Sequence, residues 1–300
     1  MTPVRSRRVR PRRLRQPALA AAALLLAACG SGDDGGAAPS AHDLGLTGSL
    51  VEQRSDVEAG VLQVRLAVAG SARPVRVARV ALGSSAFPHA AAVRDDVAVD
   101  PGVAVDFPVL YGAPTCPRPG ARPSAPTSAL PARALVRVAG RDAPVVVPLS
   151  DAHGSLARAH DRSCTARAVQ AVVPMAWADE WSAVGEGSEA RARGVLRLGP
   201  VPAGHRAVLE SLSTTTLFGY APQDPGALPV VLGPGRSLDL PVLLTPSRCD
   251  PHAVAEDKQG FAPQASVRLD GAVAVPTAVW VPRPQRAVAA AVVAQRCGLG

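Results

Sequence analysis

The sequence predicts an all-β chain of two tandem, duplicated β-sandwich modules, each closed by one disulfide, and three observations carry that expectation. DFPVLYGAPTC (106–116) returns as DLPVLLTPSRC (239–249), so a whole line of sequence is written twice. The four cysteines after Cys29, Cys116, Cys164, Cys249 and Cys297, fall into two pairs related by one offset of 133 residues. Between these markers, short runs rich in Val and Leu alternate with Pro-Gly punctuation, the pattern of strands joined by turns.

The N-terminus stands apart from this plan. Residues 1–16 carry seven arginines and no acid, and an apolar stretch from Ala18 to Ala28 follows, ending at Cys29. A basic start, a short apolar segment and small residues before the cut describe an export signal. The apolar stretch is too short to span a bilayer, which takes about 20 residues. Its end, Leu26-Ala27-Ala28-Cys29, resembles the lipobox of bacterial lipoproteins. The resemblance implies cleavage before Cys29, acylation of its thiol, and anchoring on the outer face of the cell membrane. More than one acyl chain is what stable anchoring requires. The following GSGDDGGAAPSAHD, within 29–43, reads as a flexible tether.

Cleavage changes the electrostatics. The chain has a net charge of +8, and seven arginines with no acid lie in residues 1–28, so only +1 stays with the remainder. No basic footprint is left to attract nucleic acid.

The first module is expected over 44–164. Its strands are Val61–Val68, Val75–Leu82, Val103–Leu110, Leu135–Val138 and Val145–Leu149. The second, over 165–300, offers Val195–Leu198, Ala207–Leu212, Ser237–Leu244, Ala265–Leu269 and Val273–Val281. GVLQVRLAVAG (60–70) aligns with GVLRLGPVPAG (194–204) at an offset of 134, and ALVRVAG (134–140) with ASVRLDG (265–271) at 131. Pro108 and Pro241 lack an N–H for the ladder, which predicts edge or bulged strands there. The residues leading to Cys164 and Cys297 have apolar groups at helical spacing, so a short helical turn is expected before each. The segment after Cys164, ARAVQAVVPMAWADEWSAV, is read as the opening strand of the second module. This arrangement resembles the tandem immunoglobulin-like or fibronectin-like modules of bacterial surface proteins, although no motif specific to those families is present.

Four cysteines allow three pairings. The equal spacing of 48 residues favours Cys116–Cys164 and Cys249–Cys297. A four-cysteine metal site is the rival, and the absence of any CxxC argues against it.

Little else points to chemistry. The six histidines, His42, His89, His153, His160, His205 and His252, show no metal-ligand spacing. Cys249-Asp250-Pro251-His252 places a thiol, a carboxylate and an imidazole together, but Asp-Pro starts turns and the first copy has Cys116-Pro117-Arg118-Pro119 instead. Asp250, Glu256, Asp257 and Lys258 read as a solvated charged turn. Gly185-Glu186-Gly187-Ser188-Glu189-Ala190 matches GxGxxA without the strand–helix setting a dinucleotide needs. Trp177 and Trp181 are a candidate platform for a sugar or peptide, and core packing competes with that role.

The expectation is therefore a lipid-anchored, non-catalytic binding or scaffolding protein, without cofactor, whose partners are membrane lipid at Cys29 and an envelope protein or glycan. An envelope hydrolase with residues converging only in the fold, marked by His205 or His252 in a deep pocket, is the alternative from another class. Metal handling is a third.

Overall fold

Val and Leu at alternate positions fill most of the strands, and branched side chains suit a pleated surface buried on one side. The computed structural model describes residues 40–116 and 130–298. The export signal, Cys29, Arg118 and most of the tether lie outside the described residues. The architecture is mostly β with three helices and two disulfides.

Seven strands come first: β1 (Leu46–Val51), β2 (Val61–Val68), β3 (Val75–Ser84), β4 (Val93–Val99), β5 (Ala104–Leu110), β6 (Ala132–Val138) and β7 (Val145–Ser150). They follow one path, β4-β3-β6-β7-β1-β2-β5. All neighbours are antiparallel except β1 and β7, which meet in parallel through Gly48–Leu149 and Ser49–Ser150. Inward residues from both arms, such as Leu62, Val64 and Phe107 on one side and Val77, Val136 and Val147 on the other, share one apolar cluster. The path therefore folds over at β1 to enclose a core. Gly48 sits at that fold, where a Cβ would lie 2.5 Å from Leu149 Cδ2.

The later strands are β8 (Met175–Trp177), β9 (Ser182–Val184), β10 (Arg191–Leu198), β11 (Ala207–Leu212), β12 (Phe218–Pro222), β13 (Val230–Leu232), β14 (Leu238–Pro246), β15 (Gln264–Leu269) and β16 (Val275–Ala278). One sheet runs β12-β14-β10-β8, with β9 also on β10, and the other runs β13-β11-β15-β16. Leu196, Leu240 and Phe218 of the first meet Leu209, Val267 and Leu232 of the second in one cluster.

Register shows how the two halves correspond. Arg65 stands opposite Asp106 in the β2–β5 pair, and Arg197 opposite Asp239 in β10–β14. Beyond each, Val68 bridges to Pro101 and Val201 to Pro234. The offset between β2 and β10 is therefore 132 at the Arg–Asp pairs and 133 at the bridges, not the 134 of the sequence alignment. Gly102 and Gly235, in the matching Pro-Gly turns, have φ of 77° and 71°, which glycine adopts without Cβ strain.

Three expectations need correction. Pro108 does lie on the edge strand β5, but Pro241 is in β14, between β10 and β12. It is tolerated because Val195 turns its carbonyl toward Ala178 N, so Pro241 faces the β12 side, where pairing ends at Pro222–Val242. Pro241 O still accepts from Gln223 N at 2.8 Å.

The second and third corrections concern helices. The expected short turns are full helices, α1 (Ser155–Val172) and α3 (Arg283–Cys297), with the six-residue α2 (Pro251–Glu256) between. Helix α1 runs past Cys164, so the segment read as an opening strand stays helical until Val172, and β8 starts only at Met175. Asp151 caps its start by accepting from Ser155 N and Leu156 N at 2.7 and 2.9 Å. Pro174 disfavours further helix at Val173. Leu156 and Ala159 belong to the first core and Val169 to the second, so one rigid element is rooted in both.

Candidate functional site

The disulfides form as spacing suggested. Cys116–Cys164 and Cys249–Cys297 each tie the chain after an equivalent strand, β5 or β14, to the helix that follows the last strand of its half. Both helices thereby gain a covalent hold on their sheets, and no thiol of the four is left for a metal.

A concave feature with converging polar groups lies between the halves. A cleft of ≈ 430 Å³ opens between the turn after β1, the exposed side of α1 and the β15–β16 edge. Glu52, Arg54, Arg158, Arg162, Gln259 and Trp280 are among its walls. A smaller hollow of ≈ 230 Å³ shares Arg54 and Gln259 with it and adds Arg248, His252, Asp257 and Lys258. Polar contacts between the halves border the cleft: Arg286 pairs with Glu58, and Gln259 Nε2 donates to Arg54 O at 3.5 Å. Arg286 is itself fixed, giving Nε–H to Val281 O at 2.8 Å and lying 5.2 Å over the Phe261 ring.

Five cationic side chains line the two hollows against two carboxylates, Glu52 and Asp257. Both carboxylates are engaged. Glu52, 6 % exposed, is held by Arg162. Burial opposes the charge on Arg162, but its interactions with Glu52 and Tyr111 together outweigh that and raise its pKa. Asp257 Oδ2 accepts from Gly260 N at 2.9 Å. Arg248 pairs with Asp250 at 2.9 Å, and Asp250 caps α2 through Ala253 N, a backbone bond that holds its carboxyl below the usual range. Arg54 and Lys258 have no ion-pair partner among the described residues. The two hollows together therefore present N–H donors and an excess of positive charge.

The candidates from sequence are dispersed. Trp177 is 6 % exposed, with Nε1–H donating to Val279 O at 3.0 Å, so it is a core residue and not a platform. Trp181 packs edge-on to Trp177 at 5.2 Å and fills the space left by Gly194, where a Cβ would come within 2.5 Å of its ring. Part of it still borders a groove with Arg193 and Gln223. His205 Nδ1 lies 2.7 Å from Asp270 Oδ2, but this pair is nearly half exposed at a turn. Bonds from His205 and from Arg206 N hold the Asp270 carboxyl below its ordinary range. His160, beside the first disulfide, has its Nε2 2.9 Å from Thr115 O. Gly185 and Gly187 form a β9–β10 turn with positive φ, not a phosphate loop. Among the described residues no cluster of three metal-ligating side chains occurs, and no helix is long and apolar enough to cross a membrane.

Sequence reasoning missed Arg54, Arg158 and Trp280. They come from three separate segments, and no local spacing marks any of them.

No family model matches the chain, and no curated protein matches it. Among solved structures, one similar chain is a protein of unknown function from Porphyromonas gingivalis W83. Identity is 15 %, over 78 % of this chain and 98 % of that one, with a TM-score of 0.19. A score that low says nothing about fold or activity.

Proposed function

We propose that this chain is an exported, lipid-anchored, non-catalytic binding protein of the cell envelope, made of two immunoglobulin-like modules. The observation that carries the binding role is the donor-lined cleft between two halves joined by one continuous helix. A rigid junction keeps the walls of such a cleft at a fixed spacing, which lowers the ordering cost of binding. Modular identity is supported by the strand orders, in which β1-β2-β5 opposes β4-β3-β6-β7 and β8-β10-β14-β12 opposes β13-β11-β15-β16. Residues 44–164 and 165–300 are the two modules in this proposal, with α1 crossing their boundary. Export is supported by the two disulfides, which persist in oxidising compartments. Anchoring rests on Leu26-Ala27-Ala28-Cys29. A non-catalytic role fits the His205–Asp270 pair, which is exposed and has no hydroxyl or thiol bonded to it among the described residues.

Labelling of producing cells with a palmitate analogue tests the anchor. The wild-type protein should carry label and sediment with membranes, whereas Cys29→Ser should lose both properties. Crosslinking in the envelope should capture a component with wild type and much less with Arg54→Glu. An unlabelled wild-type protein would overturn the anchoring, and capture indifferent to Arg54 would overturn the role of the cleft.

A further inference from the structure

The cleft's chemistry narrows what it holds, and this step rests on the binding role proposed above. We infer that the cleft and the hollow that adjoins it take an organic phosphate, with Arg54 shared by the two, Arg158 on the cleft side, Lys258 on the hollow side, and the organic part toward Trp280. Three observations converge. First, Glu52 is paired with Arg162, and Asp257, which stays anionic while accepting from Gly260 N, sets one charge against Arg54, Arg158 and Lys258, so positive charge remains in excess. Second, the donors approach from different elements: Arg54 from the turn after β1, Arg158 from α1, and Lys258 and Gln259 from the loop after α2. A tetrahedral oxyanion offers acceptor oxygens in several directions, while a planar carboxylate offers two in one plane. The Arg54 fork shared by both hollows, with the Arg158 guanidinium, which also donates to His153 O, on one side and the Lys258 ammonium on the other, suits the former. Third, Trp280 gives the same cleft a flat, half-buried apolar wall, which a bare inorganic anion would leave unused.

Lys258 is the only lysine of the chain, among 32 basic residues, and it lines the smaller hollow that shares Arg54 and Gln259 with the cleft. The remaining cations at the rim do not substitute for it. Arg162 and Arg248 each face a carboxylate of their own, Glu52 and Asp250.

The test is calorimetric titration of the full chain, purified in detergent, with glycerol 1-phosphate, inorganic phosphate and glycerate. Glycerol 1-phosphate should bind, inorganic phosphate more weakly, and glycerate at least tenfold more weakly. Arg54→Ala combined with Lys258→Ala should weaken glycerol 1-phosphate at least tenfold. Arg193→Ala, in the groove beside Trp181, should leave it within twofold. All three positions are exposed, and unchanged thermal melts would confirm that the variants fold. Displacement by phosphatidylglycerol micelles would assign the phosphate to a lipid headgroup, and failure to displace would assign it to a soluble or polymeric source; both uphold the inference. No binding of glycerol 1-phosphate or phosphatidylglycerol, equal binding of glycerate, or an equal loss in Arg193→Ala would overturn it. If phosphate binding fails while envelope capture still depends on Arg54, only the ligand class falls. If both fail, the binding role falls with it.

Discussion

The two halves of this molecule solve the same packing problem with different residues. At one register position, opposite Val109 of β5, the first half places Leu62, fully buried. At the matching position, opposite Val242 of β14, the second half has Gly194, and the Trp181 indole fills the space. One side chain from within the strand is replaced by one from the preceding segment. The shared framework is thus the strand pairing and the disulfide, while the filling of the core has been free to move. What the two halves have in common is geometry, and volume can be supplied from wherever the chain passes.

The disulfides offer the largest test of that likeness. Each closes a loop of 48 residues. Loop-closure entropy depends on length alone, so Cys116→Ala/Cys164→Ala and Cys249→Ala/Cys297→Ala should each cost about 4 kcal/mol. The local consequences should differ. Near the first bond, α1 also holds the incoming chain by His160 at Thr115 O and by Arg167, which donates to Pro114 O at 3.0 Å. At the second, Cys297 is the last residue of α3 and meets Arg248 O by a 4.0 Å sulfur contact, while the neighbouring Arg296 donates to Ser188 O and not to the incoming chain. Denaturant titration should give similar losses, and hydrogen exchange should show fraying at the end of α3 but not in the middle of α1. A gap of more than about 1.5 kcal/mol between the two losses would mean that native contacts, not loop closure, set the cost.

The core exchange gives the next largest effect. Leu62→Ala should cost about 3 kcal/mol by leaving a cavity. Gly194→Ala should cost about 2 kcal/mol for the opposite reason, because its Cβ would lie 2.5 Å from Trp181. In a Trp181→Ala background the Gly194→Ala change should become neutral or stabilising, since alanine orders a strand better than glycine. Thermal melts of the four proteins measure this coupling. An unchanged cost in both backgrounds would refute the steric account.

Much of the framework was legible in the sequence, and the misses have physical reasons. Strands β2, β3, β5, β6 and β14 keep apolar residues, mostly Val and Leu, on one face for six residues or more, a signal that survives without context. Strand β4, VRDDVAV, is an exposed edge in its first residues, and β8, β9 and β13 are three residues each, too short to show a period. The segment ARAVQAVV has valines that suit a strand, yet it continues α1 because Leu156, Ala159 and Val169 find two cores to bury in. The alignment error of two residues between β2 and β10 had no cost in pattern, because an even shift keeps every side chain on its own face. Only the pairing partners exposed it. Beyond them, the cleft was invisible: Arg54, Arg158 and Trp280 come from separate segments with no motif around any of them, and Lys258 stood out only as part of a solvated charged turn.

The smallest test concerns the charge pair that fixed the register. Arg65 and Asp106 form two parallel bonds of 2.7 and 2.8 Å across β2 and β5, with both side chains partly shielded. Arg197 and Asp239 occupy the equivalent positions but stand 3.7 Å apart, and Arg197 is also drawn toward Glu180 at 3.9 Å. Pairing geometry is the same in both, so any energetic difference comes from the fork alone. A double-mutant cycle to alanine should give a coupling of about 0.5–1 kcal/mol for Arg65–Asp106 and near zero for Arg197–Asp239. Added salt should reduce the first only in part, because one face of the pair is sheltered by the sheet. Equal couplings in the two halves would show that register, once set by the apolar face, gains nothing from how well the charges above it are aligned.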